Sequence, residues 1–272
     1  MRGIERGKVR QAFSSHAGTY EEYARVQSRV VDRFCRLLPA PSAAPQRVLD
    51  VGVGTGMLLA RLQERWPAAV TVGLDLAYGM AQAAARRPGQ AREPLVVCAD
   101  GEQLPFADAA FDLVVSTSTY QWLPTLDQAC AEAWRVLAPG GTFCFALFGV
   151  RTLWELKDAY RRALALTGSA APDRTHRFLD RPAVAGSLAR AGFRQCELFS
   201  EEEEDCHADV PALLRSLKRI GAGNASPSAG SGLAGRRLMV TMMELYHREH
   251  AVNGRIPATY EVIYGKGVKG GG

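Results

Sequence analysis

The sequence predicts an α/β fold, a Rossmann-like parallel sheet with helices on both faces. Three observations predict it. An apolar run at 48–51 breaks at three alternate glycines, Gly52, Gly54 and Gly56, and a helical pattern follows at once. Short apolar runs then alternate with helical patterns as far as residue 147. Acids close two of the runs, at Asp75 and Asp100. The strand, glycine turn and helix start form a ligand cradle. Glycine admits positive φ and close approach of the backbone, and the helix start offers unpaired N–H groups. Cradles of this kind stand at the carboxyl ends of parallel strands.

The chain has 272 residues, 47% of them hydrophobic and 22% charged, which suits one large domain with a substantial core. Residues 1–11 are polar and basic and lack the apolar stretch of a secretion signal. The apolar stretch 143–148 is far too short to cross a bilayer. Six scattered cysteines without a C-x-x-C pair predict reduced thiols, so a cytoplasmic protein is expected. A net charge of +5 allows an acidic partner without demanding nucleic acid.

In chain order, residues 8–38 read as a helical arm. Val9, Phe13, Ala17, Tyr23, Val26, Val30, Phe34 and Leu37 recur at threes and fours, and the prolines at 39 and 41 end the arm. Such an arm can close as a lid. Strands are predicted at 47–51, 70–74, 95–98, 111–116 and 142–147. Helices are predicted at 57–66, 77–87 and 126–137, with a turn at 139–141.

The glycine spacing argues against a dinucleotide. The G-x-G-x-x-G fingerprint would put its third glycine at Met57, and here it is Gly56. Asp50, just before the turn, is poor company for a pyrophosphate and suits a cationic ligand. Asp75, with two acceptor oxygens, can hold both hydroxyls of a ribose.

The order D-x-G-x-G-x-G from Asp50, the strand-end Asp75, A-D-x-x-x-L-P-F from Ala99, F-D-x-V from Phe111 and R-V-L-x-P-G-G from Arg135 resembles the core of class I S-adenosylmethionine-dependent methyltransferases. The resemblance implies S-adenosylmethionine as cofactor and no metal. It implies that Asp50, Gly52, Gly54, Gly56 and Ser116 surround the cofactor and that Asp75 holds its ribose. Leu76 and Met80 would sandwich the adenine. Asp100 would accept from the adenine amino group, with the Gly101 or Glu102 backbone beside it. Asp112 would hold the turn before its strand.

A narrower resemblance spans residues 8–265. Residues 13–20 with Ala24 and Gln27, Ser116 with Gln121 and Trp122, and the stretches 176–179, 213–222 and 254–260 are similar to the malonyl-acyl-carrier-protein O-methyltransferases of biotin synthesis. R-S-L-K-x-I-G-A from Arg215 is the most specific piece. Thr117 departs from the Asn usual in that family. The resemblance implies a single domain with a seven-stranded sheet. Its parts would be a lid at 8–38, a cofactor core at 46–150, and a cap and substrate region at 151–250. Cap helices would lie at 153–166, 210–220 and 233–250, with 221–235 a flexible connection. Strands near 193–204 and 256–265 would form an antiparallel edge, and 266–272 a disordered tail. The activity implied is methylation of the free carboxylate of a malonyl thioester on acyl carrier protein.

A carboxylate is ionised at pH 7 and needs no general base, and the sequence offers no convincing Ser/His/Asp set. It does invite a planar cation, for which Arg177 comes first and Arg151 second. Tyr20, Gln121 and Trp122 are expected as site walls, with Tyr20 also able to reach the methionine carboxylate. Arg215, Lys218 and Arg219 fall on one helix face and suit an acidic carrier. His247 and His250 read as wet surface and the acidic run 201–205 as a solvated strand end. A monomer that binds neither nucleic acid nor membrane is expected. Two other functions fit the same motifs: a small-molecule methyltransferase acting on a free acid or quinol, and a cofactor-binding regulator. A dehydrogenase stands further off, on the glycine spacing.

Overall fold

The computed structural model describes residues 6–38, 44–89, 93–169, 175–223 and 233–271. Its centre is a seven-stranded sheet in the order β3-β2-β1-β4-β5-β7-β6. The strands are β1 Arg47–Val51, β2 Val70–Asp75, β3 Leu95–Cys98, β4 Phe111–Thr117, β5 Leu137–Phe148, β6 Phe193–His207 and β7 Ile256–Lys269. The first five run parallel, and β7 lies antiparallel between β5 and β6. After β1 the chain passes to β2 on one side, and β4 later takes the other side. The crevice between these two directions opens at the carboxyl ends of β1 and β4, where α/β sheets bind ligands.

β1 is buried at every residue after Arg47, as a central strand covered on both faces must be. On one face pack α4 Met57–Arg65, α3 Arg25–Leu37 and three cap helices: α7 Trp154–Thr167, α9 Val210–Arg219 and α10 Leu233–His250. On the other face lie α6 Leu126–Val136 and α8 Arg181–Ala191. The helix α5 Tyr78–Ala85 follows β2. Asp112, expected to hold the turn before β4, instead accepts from the backbone N–H groups of Gln46 and Arg47 and holds the chain where β1 enters.

Several expectations need correction. The arm is not one helix but α1 Arg6–His16, a 3-10 turn at Ala17–Thr19, α2 Tyr20–Tyr23 and α3. The prolines proposed to end it lie outside the described residues. β5 starts five residues early: Leu137 pairs with Phe111, and the Pro139–Gly141 turn becomes an irregularity within the strand. The α8 helix was not foreseen. Its signal was Asp180 before Arg181 and Pro182, since the Asp180 carboxylate caps the helix by accepting from Ala183 N–H.

The tail expected to be disordered is partly strand. Lys266 to Lys269 pair in β7, and Lys269 Nζ donates to the Leu137 carbonyl at 2.7 Å over the Trp134 ring. The acidic run in β6 is not simply solvated. Glu201 pairs with Arg33 at 2.6 Å, Glu203 with Arg29 at 2.8 Å, and Glu202 with Arg151. A 3.6-residue pattern on α3 meets a 2-residue pattern on β6, which linear inspection does not join. His250 packs edge-on against Trp154 and Tyr246, whereas His247 is exposed as expected. Of the connection 221–235, residues 224–232 lie outside the described part. All six cysteines are free. Among the described residues no group of His, Cys, Asp and Glu could hold a metal ion, and no helix is long and apolar enough to cross a membrane.

Candidate active site

The glycine turn after β1 folds as its sequence requires. Gly52, Gly54 and Gly56 all have positive φ. The N–H groups of Gly52 and Val53 both donate to the Leu74 carbonyl, which ties the turn to β2. Asp75 then fixes the geometry from below. One of its oxygens accepts from Gly54 N–H at 2.9 Å and the other from Ala77 N–H at 2.8 Å. Each oxygen keeps a lone pair for a ligand.

Over this turn opens a cleft of about 800 Å³. Of the expected residues, Gly52, Gly54, Asp75, Leu76, Asp100 and Gly101 line it. So do Thr117 to Tyr120, beyond β4, and Val9, Arg10 and Phe13 of α1. The arm therefore covers the cleft. It is held there by Ser14 Oγ, which accepts from Gly79 N–H at 2.9 Å, and by Glu21, which accepts from Thr55 Oγ1 at 2.5 Å and pairs with Arg87.

Five expected cofactor contacts sit elsewhere. Gly56 lies behind the cleft as the residue that opens α4, packed against Ala84. Met80 is buried on the inner side of α5 and does not line the cleft. Ser116 is a buried staple, donating to the Val51 carbonyl at 2.8 Å. Of the two backbones expected beside Asp100, Gly101 stays at the cleft, whereas Glu102 donates its N–H to Asp100 and turns its side chain to Thr125 N–H at the start of α6. Asp50 lies beneath the turn, 1% exposed, with Oδ2 free of any hydrogen-bond partner. Burial, with Asp75 nearby, pushes its carboxyl up to about 8.

Asp75, with lone pairs to spare, and Asp100 at the cleft wall fit a diol and a cationic ligand, and they oppose a phosphate. S-adenosylmethionine carries an ammonium, a sulfonium and a ribose diol. The residues present fit that group.

A second chamber, of about 380 Å³, adjoins the cleft. Phe13, Tyr20, Ser118 and Trp122 line both spaces and form the wall between them. Phe13 meets Trp122 edge-on at 5.8 Å and stands 6.4 Å from Tyr20. Gln121 lies in the chamber wall, and its carbonyl shares a 2.8 Å hydrogen bond with His176 Nε2. The His176 ring packs tilted against Trp122 and edge-on against Phe178, and burial lowers its pKa. Phe148, Leu153, Phe178, Leu217 and Ile220 supply most of the remaining, apolar wall.

Neither arginine expected at the substrate is in this wall. Arg177 is exposed, although its neighbour Phe178 lines the chamber and His176 packs against that wall. Arg151 is spent on Glu202 at the sheet edge, over the Trp154 ring. Gln27 and Tyr260 line the chamber and were given no role from sequence. Their signal was membership of the stretches that carry the narrower resemblance. α9 links chamber to surface. Leu217 and Ile220 just past its end face the chamber, while Arg215, Lys218 and Arg219 are exposed, with Arg219 over the Tyr23 ring.

Comparison with known proteins agrees with this geometry. The Methyltransferase domain family matches residues 49–145. A malonyl-acyl-carrier-protein O-methyltransferase of Geobacter sulfurreducens is 56% identical over 264 residues, covering 97% of this chain and 99% of that protein. The biotin biosynthesis bifunctional protein BioHC of Saccharophagus degradans is 33% identical over 94% of this chain and 45% of its own length. Among solved structures, a Haemonchus contortus N-methyltransferase in complex with S-adenosylhomocysteine matches with a TM-score of 0.59. It is 18% identical, over 94% of this chain and 57% of that one.

Proposed function

The chain belongs to the malonyl-acyl-carrier-protein O-methyltransferase family, and from that premise we propose how its residues divide the work. The reaction moves a methyl group from S-adenosylmethionine to the free carboxylate of a malonyl thioester on acyl carrier protein. Its product is the methyl ester, at an early step in building the pimeloyl part of biotin. Esterification hides a charge that an apolar acyl pocket would reject.

When bound, S-adenosylmethionine supplies an electrophilic methyl group on a sulfonium. Asp75 holds the ribose diol with its remaining lone pairs, and Asp100 with the Gly101 backbone reads the adenine edge beside Leu76. The arm closes the cleft and excludes water through Val9 and Phe13. Phe13, Tyr20, Ser118 and Trp122 define the passage through which carboxylate and methyl meet. Position and a dry site supply the rate, since the nucleophile is already ionised and needs no base. Arg215, Lys218 and Arg219 on α9 steer an acidic carrier to the surface behind the chamber.

The observation that carries this division is the shared aromatic wall between an acid-lined cleft and an apolar chamber. Mass spectrometry of malonyl-, succinyl- and acetyl-acyl carrier protein, each incubated with S-adenosylmethionine, tests it. The malonyl carrier is expected to gain one methyl fastest and the acetyl carrier none. Equal gain on the malonyl and acetyl carriers would refute a carboxylate acceptor.

A further inference from the structure

We propose that the substrate carboxylate is held by uncharged donors, the Tyr20 and Tyr260 hydroxyls and the Gln27 amide, and not by an arginine or lysine of the chamber wall. The inference rests on the carboxylate acceptor proposed above. Three observations carry it. Among the described residues, no charged side chain lines the chamber. Tyr20, Gln27 and Tyr260 all line it, and none of their side-chain polar groups has a hydrogen-bond partner in the protein. Of the other polar lining residues, Gln121 and Thr152 spend their donors on backbone carbonyls and Ser118 stands at the passage to the cleft, so the Tyr20, Gln27 and Tyr260 donors await an acceptor.

The arrangement suits the chemistry. A carboxylate oxygen forms the new O–CH3 bond with its lone pair. The C–S bond breaks, and its electron pair stays on sulfur. A negative oxygen and a positive sulfur become a neutral ester and a neutral thioether, with no proton moved. Charge is thus smaller in the transition state than before it. A fixed cation at the carboxylate would stabilise the reactants more than the transition state and slow the step. Uncharged donors orient the carboxylate at a smaller penalty, and the sulfonium itself is the counter-ion. Burial raises the pKa of both phenols, so both remain donors at working pH.

Tyr260→Phe and Gln27→Met keep shape and remove a donor. Arg177→Ala is the control for the cation. Two readouts are taken: kcat and KM with malonyl-acyl carrier protein, and calorimetric binding of that carrier and of its methyl ester to protein loaded with S-adenosylhomocysteine. Each donor variant is expected to bind the malonyl carrier about 10- to 100-fold more weakly, the range of a hydrogen bond to a charged group. Binding of the methyl ester and of S-adenosylhomocysteine should stay within about twofold, which also certifies folding. Arg177→Ala should change carboxylate binding by less than about threefold. Unchanged malonyl binding in both donor variants would overturn the inference, as would a loss confined to Arg177→Ala. Failure of the unaltered protein to methylate the malonyl carrier would remove the carboxylate reading itself, and the inference with it.

Discussion

At Gly52 the backbone turns with φ +78°, and a Cβ built there would lie 2.0 Å from Thr119 Oγ1. Gly52→Ala is therefore strained twice, by conformation and by contact. Cofactor affinity should fall at least about tenfold, read by titration with S-adenosylhomocysteine, since the cleft floor must move. Asp50 makes a different prediction. Its carboxyl titrates at about 8 in the folded chain against 3.8 ordinarily, so between those values the folded state holds the extra proton. Its contribution to stability is full below 3.8 and is lost as pH rises through about 8. Asp75, also raised by burial, acts in the same direction. Without cofactor, urea midpoints should fall with rising pH across that window, and Asp50→Asn should flatten the slope. An equal slope in both proteins would clear Asp50 of the effect. At this scale the sequence was partly legible. Asp75, Asp100 and the glycines were found because backbone geometry and acceptor chemistry restrict what can stand there. Ser116, Glu102 and Met80 were misplaced because a strand or helix register shows that a residue is near a site without showing which way it turns.

The arm and α9 are the elements that join the two spaces. α1 roofs the cleft with Val9 and Phe13, and Tyr20 at the start of α2 belongs to the wall. Glu21 fastens this arm to the glycine turn through Thr55 and to the next helix connection through Arg87. Glu21→Ala should leave the sheet intact and raise the cofactor dissociation constant by several-fold, up to about tenfold, because the lid then opens more often. Stopped-flow release of S-adenosylhomocysteine should quicken in step; release at an unaltered rate would mean that the latch holds nothing. On α9, reversing Arg215, Lys218 and Arg219 to Glu should raise KM for the carrier about tenfold or more and lower its salt dependence, with cofactor affinity unchanged. Equal losses of carrier and cofactor binding would contradict a docking role. The helical period of α9 was readable, and its apolar side is indeed buried at Leu213 and Leu217. α8 was missed because its few apolar residues, Val184 and Leu188, give little periodicity, and its proline near the start was not weighed as a helix opener.

Across the whole molecule, the parallel half of the sheet was legible almost strand for strand. Each of its strands is a short apolar run bounded by a turn or an acid, and burial on both faces demands that composition. The antiparallel edge was legible only through resemblance. β6 is half polar, and its glutamates face the arginines of α3 across the molecule. Such pairs join residues more than 160 positions apart, and no local pattern announces them. The same holds for the substrate chamber. It gathers the arm, the turn after β4, the end of β5 with the loop that follows it, β7 and α9, so no single stretch could reveal that its wall lacks charge. An arginine was expected there from the acceptor's charge alone, and the whole molecule instead sets unpartnered neutral donors beside a cofactor cleft. Methyl transfer to a carboxylate oxygen is read by carbon-13 NMR of the carrier product formed from S-adenosylmethionine labelled in its methyl group. The label is expected in an ester O–CH3, with the carboxylate signal gone and mild alkali releasing methanol. Label in a C–CH3 group beside a surviving carboxylate would contradict it.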